Sequence, residues 1–150
     1  MNKKNYILNN TNTRYFDYFF FKKLNNRMKP KVKNYLELDD EINYGITFTY
    51  NKGTSIANVN GKAITSGGLV ISKNKGNLSA GKYTLVLDKA LPFLINFSIE
   101  QGVQFRMPAG TTTITTTLTK DYVGKGDLYM AMTKDQEYNE TFKIILTKNS

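Results

Sequence analysis

From Gly45 onward the chain keeps a period of two. Ile46, Phe48 and Tyr50 alternate with Thr47 and Thr49. Phe93, Ile95, Phe97 and Ile99 form one apolar face, and Val103, Phe105 and Met107 alternate with Gln104 and Arg106. Further on, Ile114, Thr116 and Leu118 alternate with Thr113, Thr115 and Thr117. Leu128, Met130 and Met132 alternate with Tyr129 and Ala131, and Phe142, Ile144 and Leu146 with Thr141, Lys143 and Ile145. Successive side chains of a strand point to opposite faces, so each run predicts a strand with one buried side. Three less regular runs, Ser55–Val59, Leu69–Ser72 and Lys82–Leu87, bring the count to nine.

Turn chemistry separates the runs: Asn51-Lys52-Gly53, Asn60-Gly61, Ser66-Gly67-Gly68, Asn74-Lys75-Gly76-Asn77, Gln101-Gly102 and Gly124-Lys125-Gly126-Asp127. Two strands open on the same phrase, Leu78-Ser79-Ala80-Gly81-Lys82-Tyr83-Thr84-Leu85 and Met107-Pro108-Ala109-Gly110-Thr111-Thr112. Glycine supplies the turn, and the β-branched and aromatic residues after it suit a pleated surface. Many short strands with no long helical period predict an all-β fold, an antiparallel β-sandwich of jelly-roll-like kind.

The order of these phrases carries a resemblance. Gly45-Ile46-Thr47-Phe48-Thr49 is followed by Val59-Asn60-Gly61-Lys62-Ala63, by the two Ala-Gly phrases, by Asp127–Met132, and by Thr141-Phe142-Lys143-Ile144-Ile145-Leu146. Over residues 44–148 this resembles the carbohydrate-binding-module-like β-sandwich of phage structural proteins. Two departures stand out. Lys62 replaces a small hydroxyl residue, and Ile145-Leu146-Thr147-Lys148 replaces a Met-Leu ending closed by glycine. The resemblance implies a non-enzymatic virion protein displayed on capsid or tail, with phage capsid or tail proteins as partners and host surface glycans as an occasional ligand. Because the chain ends at Ser150, it suggests a whole display domain of capsid decoration or head-fibre type, assembled as a homo-oligomer.

Charge divides the chain. Residues 1–35 hold nine Lys or Arg against Asp17, and residues 36–150 hold twelve bases against eleven acids. The division predicts an N-terminal anchoring arm, 1–35, and a sandwich domain, 36–150. Within the arm, Tyr15, Phe16, Tyr18, Phe19, Phe20 and Phe21 crowd together and run into Lys22 and Lys23. Aromatics in that number are unfavourable in water, which suits anchoring to a partner or packing back onto the sandwich. Asp17 interrupts the run, which is too short to span a bilayer, so no membrane insertion is expected. Met28 is an alternative start that would remove most of the arm. Nucleic acid binding through the arm is a competing expectation, but a nucleic-acid groove would spread its bases over the domain, which is close to neutral.

The chain has no His and no Cys. Histidine-based triads, thiol chemistry and thiolate zinc sites are excluded. A carboxylate pair is the remaining enzymatic option, but the acids fall at turns and strand ends, where solvation accounts for them. No enzyme and no cofactor are expected. Calcium is the one ion considered, through Asp121 and Asp127 on one loop. For a glycan, Tyr122, Tyr129 and Tyr138 are the candidates to stack on a sugar face, at loops or outward positions, with Asn96 and Gln101 as polar partners. The Thr113, Thr115, Thr117 and Thr119 row is a candidate for pairing with another sheet.

Overall fold

Backbone groups removed from water need partners, and alternating runs find them in one another. The computed structural model describes residues 32–73 and 75–150, and residues 33–150 form one unit. The strands are β1 (Glu41–Asn43), β2 (Ile46–Asn51), β3 (Ile56–Lys62), β4 (Gly67–Ser72), β5 (Asn77–Leu78), β6 (Gly81–Leu87), β7 (Ile95–Glu100), β8 (Val103–Met107), β9 (Thr113–Leu118), β10 (Tyr122–Val123), β11 (Asp127–Met132) and β12 (Glu137–Lys148). All nine expected runs are present. The three additions, β1, β5 and β10, are two or three residues long, too short to show a period.

Pairing is antiparallel throughout and nested. β7 pairs with β8, β6 with β9, β5 with β10, β4 with β11, and β3 with β12. The chain from Ile56 to Lys148 is therefore one long hairpin whose tip is the Gln101-Gly102 turn. Folded over on itself, it deals its pairs alternately into two sheets. One has the order β1-β2-β3-β12-β6-β9, the other β4-β11-β7-β8, and β5 and β10 form a short separate ribbon. That alternation is the jelly roll. The expected antiparallel β-sandwich is the fold observed, with β1 and β2 added at one edge of the larger sheet.

The core lies between the two inner faces. Ile46, Phe48, Ala57, Val59, Tyr83, Leu85, Phe142, Ile144 and Leu146 from one sheet face Leu69, Ile71, Ile95, Phe97, Phe105, Met107, Leu128 and Met130 from the other, all buried. Phe97 and Phe105 stack with centroids 6.0 Å apart. Phe93, in the alternating run but outside β7, closes one end by packing against Tyr138 and Phe142.

The last strand has two neighbours, one for each half. Residues 137–143 of β12 pair with β3, and residues 144–148 pair with β6 on the opposite edge. Beyond β3, Asn34 carries the ladder on. Its Oδ1 accepts the Leu146 N–H at 3.0 Å, and its Nδ2 donates to the Ile144 carbonyl at 3.3 Å. The Tyr35 N–H then donates to the Leu146 carbonyl at 2.9 Å. On the other edge, Asp88 accepts the Lys143 N–H on its carboxylate at 2.8 Å and donates its own N–H to the Lys143 carbonyl. Residues 33–35, grouped with the arm on charge alone, are thus tied to the roll. The Tyr35 ring also meets Tyr83 edge-on at 5.3 Å. Tyr15 to Lys23 and Met28 lie outside the described residues.

Where β2 opens beside β3, Gly45 (φ 82°) and Gly61 (φ 127°) face each other, and a Cβ on Gly61 would sit 2.1 Å from the Gly45 carbonyl oxygen. The glycines of two phrases that carry the resemblance are therefore required by one close backbone approach. Gly61→Ala is expected to lower stability by about 3 kcal/mol or more, through strain and collision together. At Gly102 (φ 81°) a Cβ meets nothing within 4 Å. Gly102→Ala carries the conformational penalty alone, about 1 kcal/mol. Urea denaturation of the two variants checks the difference. In the same assay Asn34→Ala, which takes the Oδ1 acceptor from the Leu146 and Leu36 N–H groups, is expected to cost about 2–3 kcal/mol.

Candidate functional site

The outer face of the smaller sheet holds the polar cluster of most chemical interest. One row crosses all four strands: Val70 of β4 lies beside Tyr129 of β11, Tyr129 beside Asn96 of β7, and Asn96 beside Arg106 of β8. Adjacent strands are about 4.8 Å apart, so the row spans about 14 Å. Two bulges flank it, at Leu128/Tyr129 on the β4 side and at Ser98/Glu100 beside β8. Bulges re-aim side chains and recur beside functional sites.

Asn96 is the centre of this row. Its Nδ2 donates to the Tyr129 hydroxyl at 2.9 Å and to Gln104 Oε1 at 3.0 Å. Although it faces outward, it is only 2% exposed. Its Oδ1 is the one buried side-chain polar atom among the described residues without a hydrogen-bond partner. Tyr129 is half-buried, and its ring edge covers Gly68, where a Cβ would lie 3.3 Å from Cδ2. At the β4 end the row meets a groove of about 400 Å³ between β1 and β4, lined by Asp39, Glu41, Tyr44, Gly68, Val70 and Lys73 among others.

The expected glycan residues divide. Tyr129 and Asn96 come together, with Gln104 joining them. Tyr122 and Tyr138, expected at loops or outward positions, are instead buried, each 4% exposed. Tyr138 packs on Phe93, and its hydroxyl accepts the Thr133 N–H at 2.9 Å. A buried tyrosine keeps its ring in the core only when its hydroxyl finds a partner, which this bond provides. Tyr122 likewise reaches inward from β10 and donates to Glu100 Oε1 at 2.9 Å. Asn96, expected as a polar partner, is covered by its neighbours. Gln101 lies exposed at the hairpin tip, apart from that row.

Tyr122 and Asp121 border a second depression of about 310 Å³, with Lys33, Tyr35, Asn77 and Ser79. The Asp121 carboxylate accepts the Ala80 N–H at 2.7 Å, which fixes the start of the first Ala-Gly phrase. Asp127 opens β11 opposite Ser98. The described residues contain no group of three or more Asp or Glu side chains placed to hold a metal ion. Thr113, Thr115 and Thr117 lie exposed on β9, an edge strand, where the Thr84 and Thr115 hydroxyls meet at 3.0 Å.

Sequence reasoning missed Gln104, Arg106 and Asn34. For the first two a signal existed. Both alternate with Val103, Phe105 and Met107 and so had to face outward on the strand after Asn96.

The Tyr122–Glu100 bond ties the small ribbon to the end of β7 and is sensitive to pH. Glu100 titrates below the usual glutamate value, first because Tyr122 donates to it, against a smaller opposing effect of burial, and with added help from Lys120. Burial first, and then Glu100, raises the Tyr122 hydroxyl. A lowered folded pKa gives stability that is full above the ordinary glutamate range and lost as pH falls through the folded value. The raised Tyr122 value acts at the alkaline end, where its contribution is lost as pH rises through it. The stability deficit of Tyr122→Phe is therefore expected to be constant near neutrality and to shrink in acid, measured by urea denaturation across pH. A deficit unchanged down to the acid limit of folding would show that Glu100 is not coupled to Tyr122.

No family model, curated protein or solved structure matches this chain.

Proposed function

We propose that this chain is a non-enzymatic structural protein of a phage particle, of capsid decoration or head-fibre type. In this reading residues 33–150 form the displayed roll, and the basic, aromatic stretch before it attaches the roll to capsid or tail protein. One observation carries the reading: residues 33–150, which close their own core, hold thirteen bases against eleven acids, a net +2, while residues 1–32 hold eight against one, a net +7. Such a division suits a stable body on an adhesive tether. The phrase order over residues 44–148 supports it from the sequence side. Self-association as a dimer or trimer on the particle belongs to the same reading.

A second reading, recognition of a host surface glycan, is favoured by the Tyr129–Asn96–Gln104 cluster. A half-buried aromatic ring beside an unsatisfied amide is the combination that sugar recognition uses: a surface for the apolar face of the ring and a partner for a hydroxyl.

Intact particles purified from producing cells are expected to contain this chain at a fixed ratio to one other structural protein. Lys22→Glu with Lys23→Glu is expected to lower its occupancy several-fold without changing the roll's urea midpoint. Its absence from purified particles would sink the first reading.

A further inference from the structure

The row on the outer face has a feature that neutral sugar recognition does not need. Arg106 is the only arginine in residues 32–150; the other eleven bases of residues 36–150 are lysines. It is exposed, and its side chain makes no hydrogen bond or ion pair among the described residues. Guanidinium presents a planar fork that matches a carboxylate with two parallel hydrogen bonds, which the ammonium of lysine does not. Here it stands beside Asn96, whose Oδ1 has no partner, and one strand further from Tyr129.

We propose that Tyr129, Asn96, Gln104 and Arg106 form a binding site for a carboxylated sugar, a uronic or sialic acid residue within a glycan. The sugar's apolar face lies on Tyr129. Its carboxylate takes the Arg106 fork. The exposed Gln104 side chain, which accepts from Asn96 Nδ2, swings aside to admit a sugar hydroxyl, which donates to Asn96 Oδ1. Turning the Asn96 amide over would place Nδ2 in the unsatisfied position, and a hydroxyl, being both donor and acceptor, satisfies either orientation. Charge gives the ligand a direction: Arg106, on β8, marks the end of the row that takes the carboxylate. The site rests on the glycan-recognition reading and adds to it a chemical class and a direction.

The test uses the full chain and three carboxylated probes: oligogalacturonate, hyaluronan oligosaccharides and sialyllactose. Each is titrated calorimetrically beside its methyl ester as the neutral counterpart, with lactose as a further control. At least one acid is expected to bind at least tenfold more tightly than its neutral counterpart. Arg106→Gln is expected to remove that preference while leaving neutral binding unchanged, and Tyr129→Ala to weaken both. Lys143→Gln, on the outer face of the other sheet, is expected to change nothing. Urea midpoints of the variants separate lost binding from lost folding. Equal binding of acid and ester, or a preference that survives Arg106→Gln, overturns the carboxylate site and leaves glycan recognition standing. Absence of binding by every probe, charged and neutral, overturns both.

Discussion

Every strand of the larger sheet depends on how β12 divides its hydrogen bonds. Its first half pairs with β3 and its second half with β6, on opposite edges. Each half would otherwise leave one edge unpaired, at a cost of about 1–3 kcal/mol for each buried orphan. Two side chains prevent this. The Asn34 amide, with one acceptor and donor hydrogens, imitates a strand backbone beside Ile144 and Leu146, and Asp88 serves Lys143 on the other edge. The chain's last strand is thereby locked to residues that precede its first, so the roll is closed across its whole length.

The smaller sheet packs one side on this closed larger sheet and leaves the other facing outward. Its inner side is packed by Phe97, Phe105, Leu128 and Met130, and its outer side need not contribute to the core. Polar residues there are free to be arranged for other ends. The two bulges beside the row and the unsatisfied Asn96 oxygen are local departures from an ideal sheet. A buried polar atom without a partner is rare in a folded protein and calls for a reason. The carboxylated-sugar site supplies one, with Tyr129 and Arg106 on either side of the same residue.

On the two proposed readings, attachment and recognition draw on different parts of the sequence. The basic stretch is suited to an acidic partner, and the sheet face to a ligand of defined shape. The display reading and the recognition reading are compatible on this division, since each calls on a different set of residues.

The period of two determined the fold class and six of the strands, because burying one face of a strand imposes alternation whatever the topology; three less regular runs between turn signals completed the nine. It also placed Gln104 and Arg106 outward by the same rule. It was silent on β1, β5 and β10, which are too short to repeat. Residue type misled at Tyr122 and Tyr138, since an aromatic ring with a hydroxyl suits an exposed platform and a core equally. Only their tertiary partners, Glu100 and the Thr133 N–H, decided for burial. Charge misled at residues 33–35, where lysines concealed the Asn34 amide that serves β12. The nesting of the strands, the burial of Asn96 and the row from Val70 to Arg106 came from the tertiary structure alone, because they join residues far apart in sequence, and alternation carries no information about which strand lies beside which.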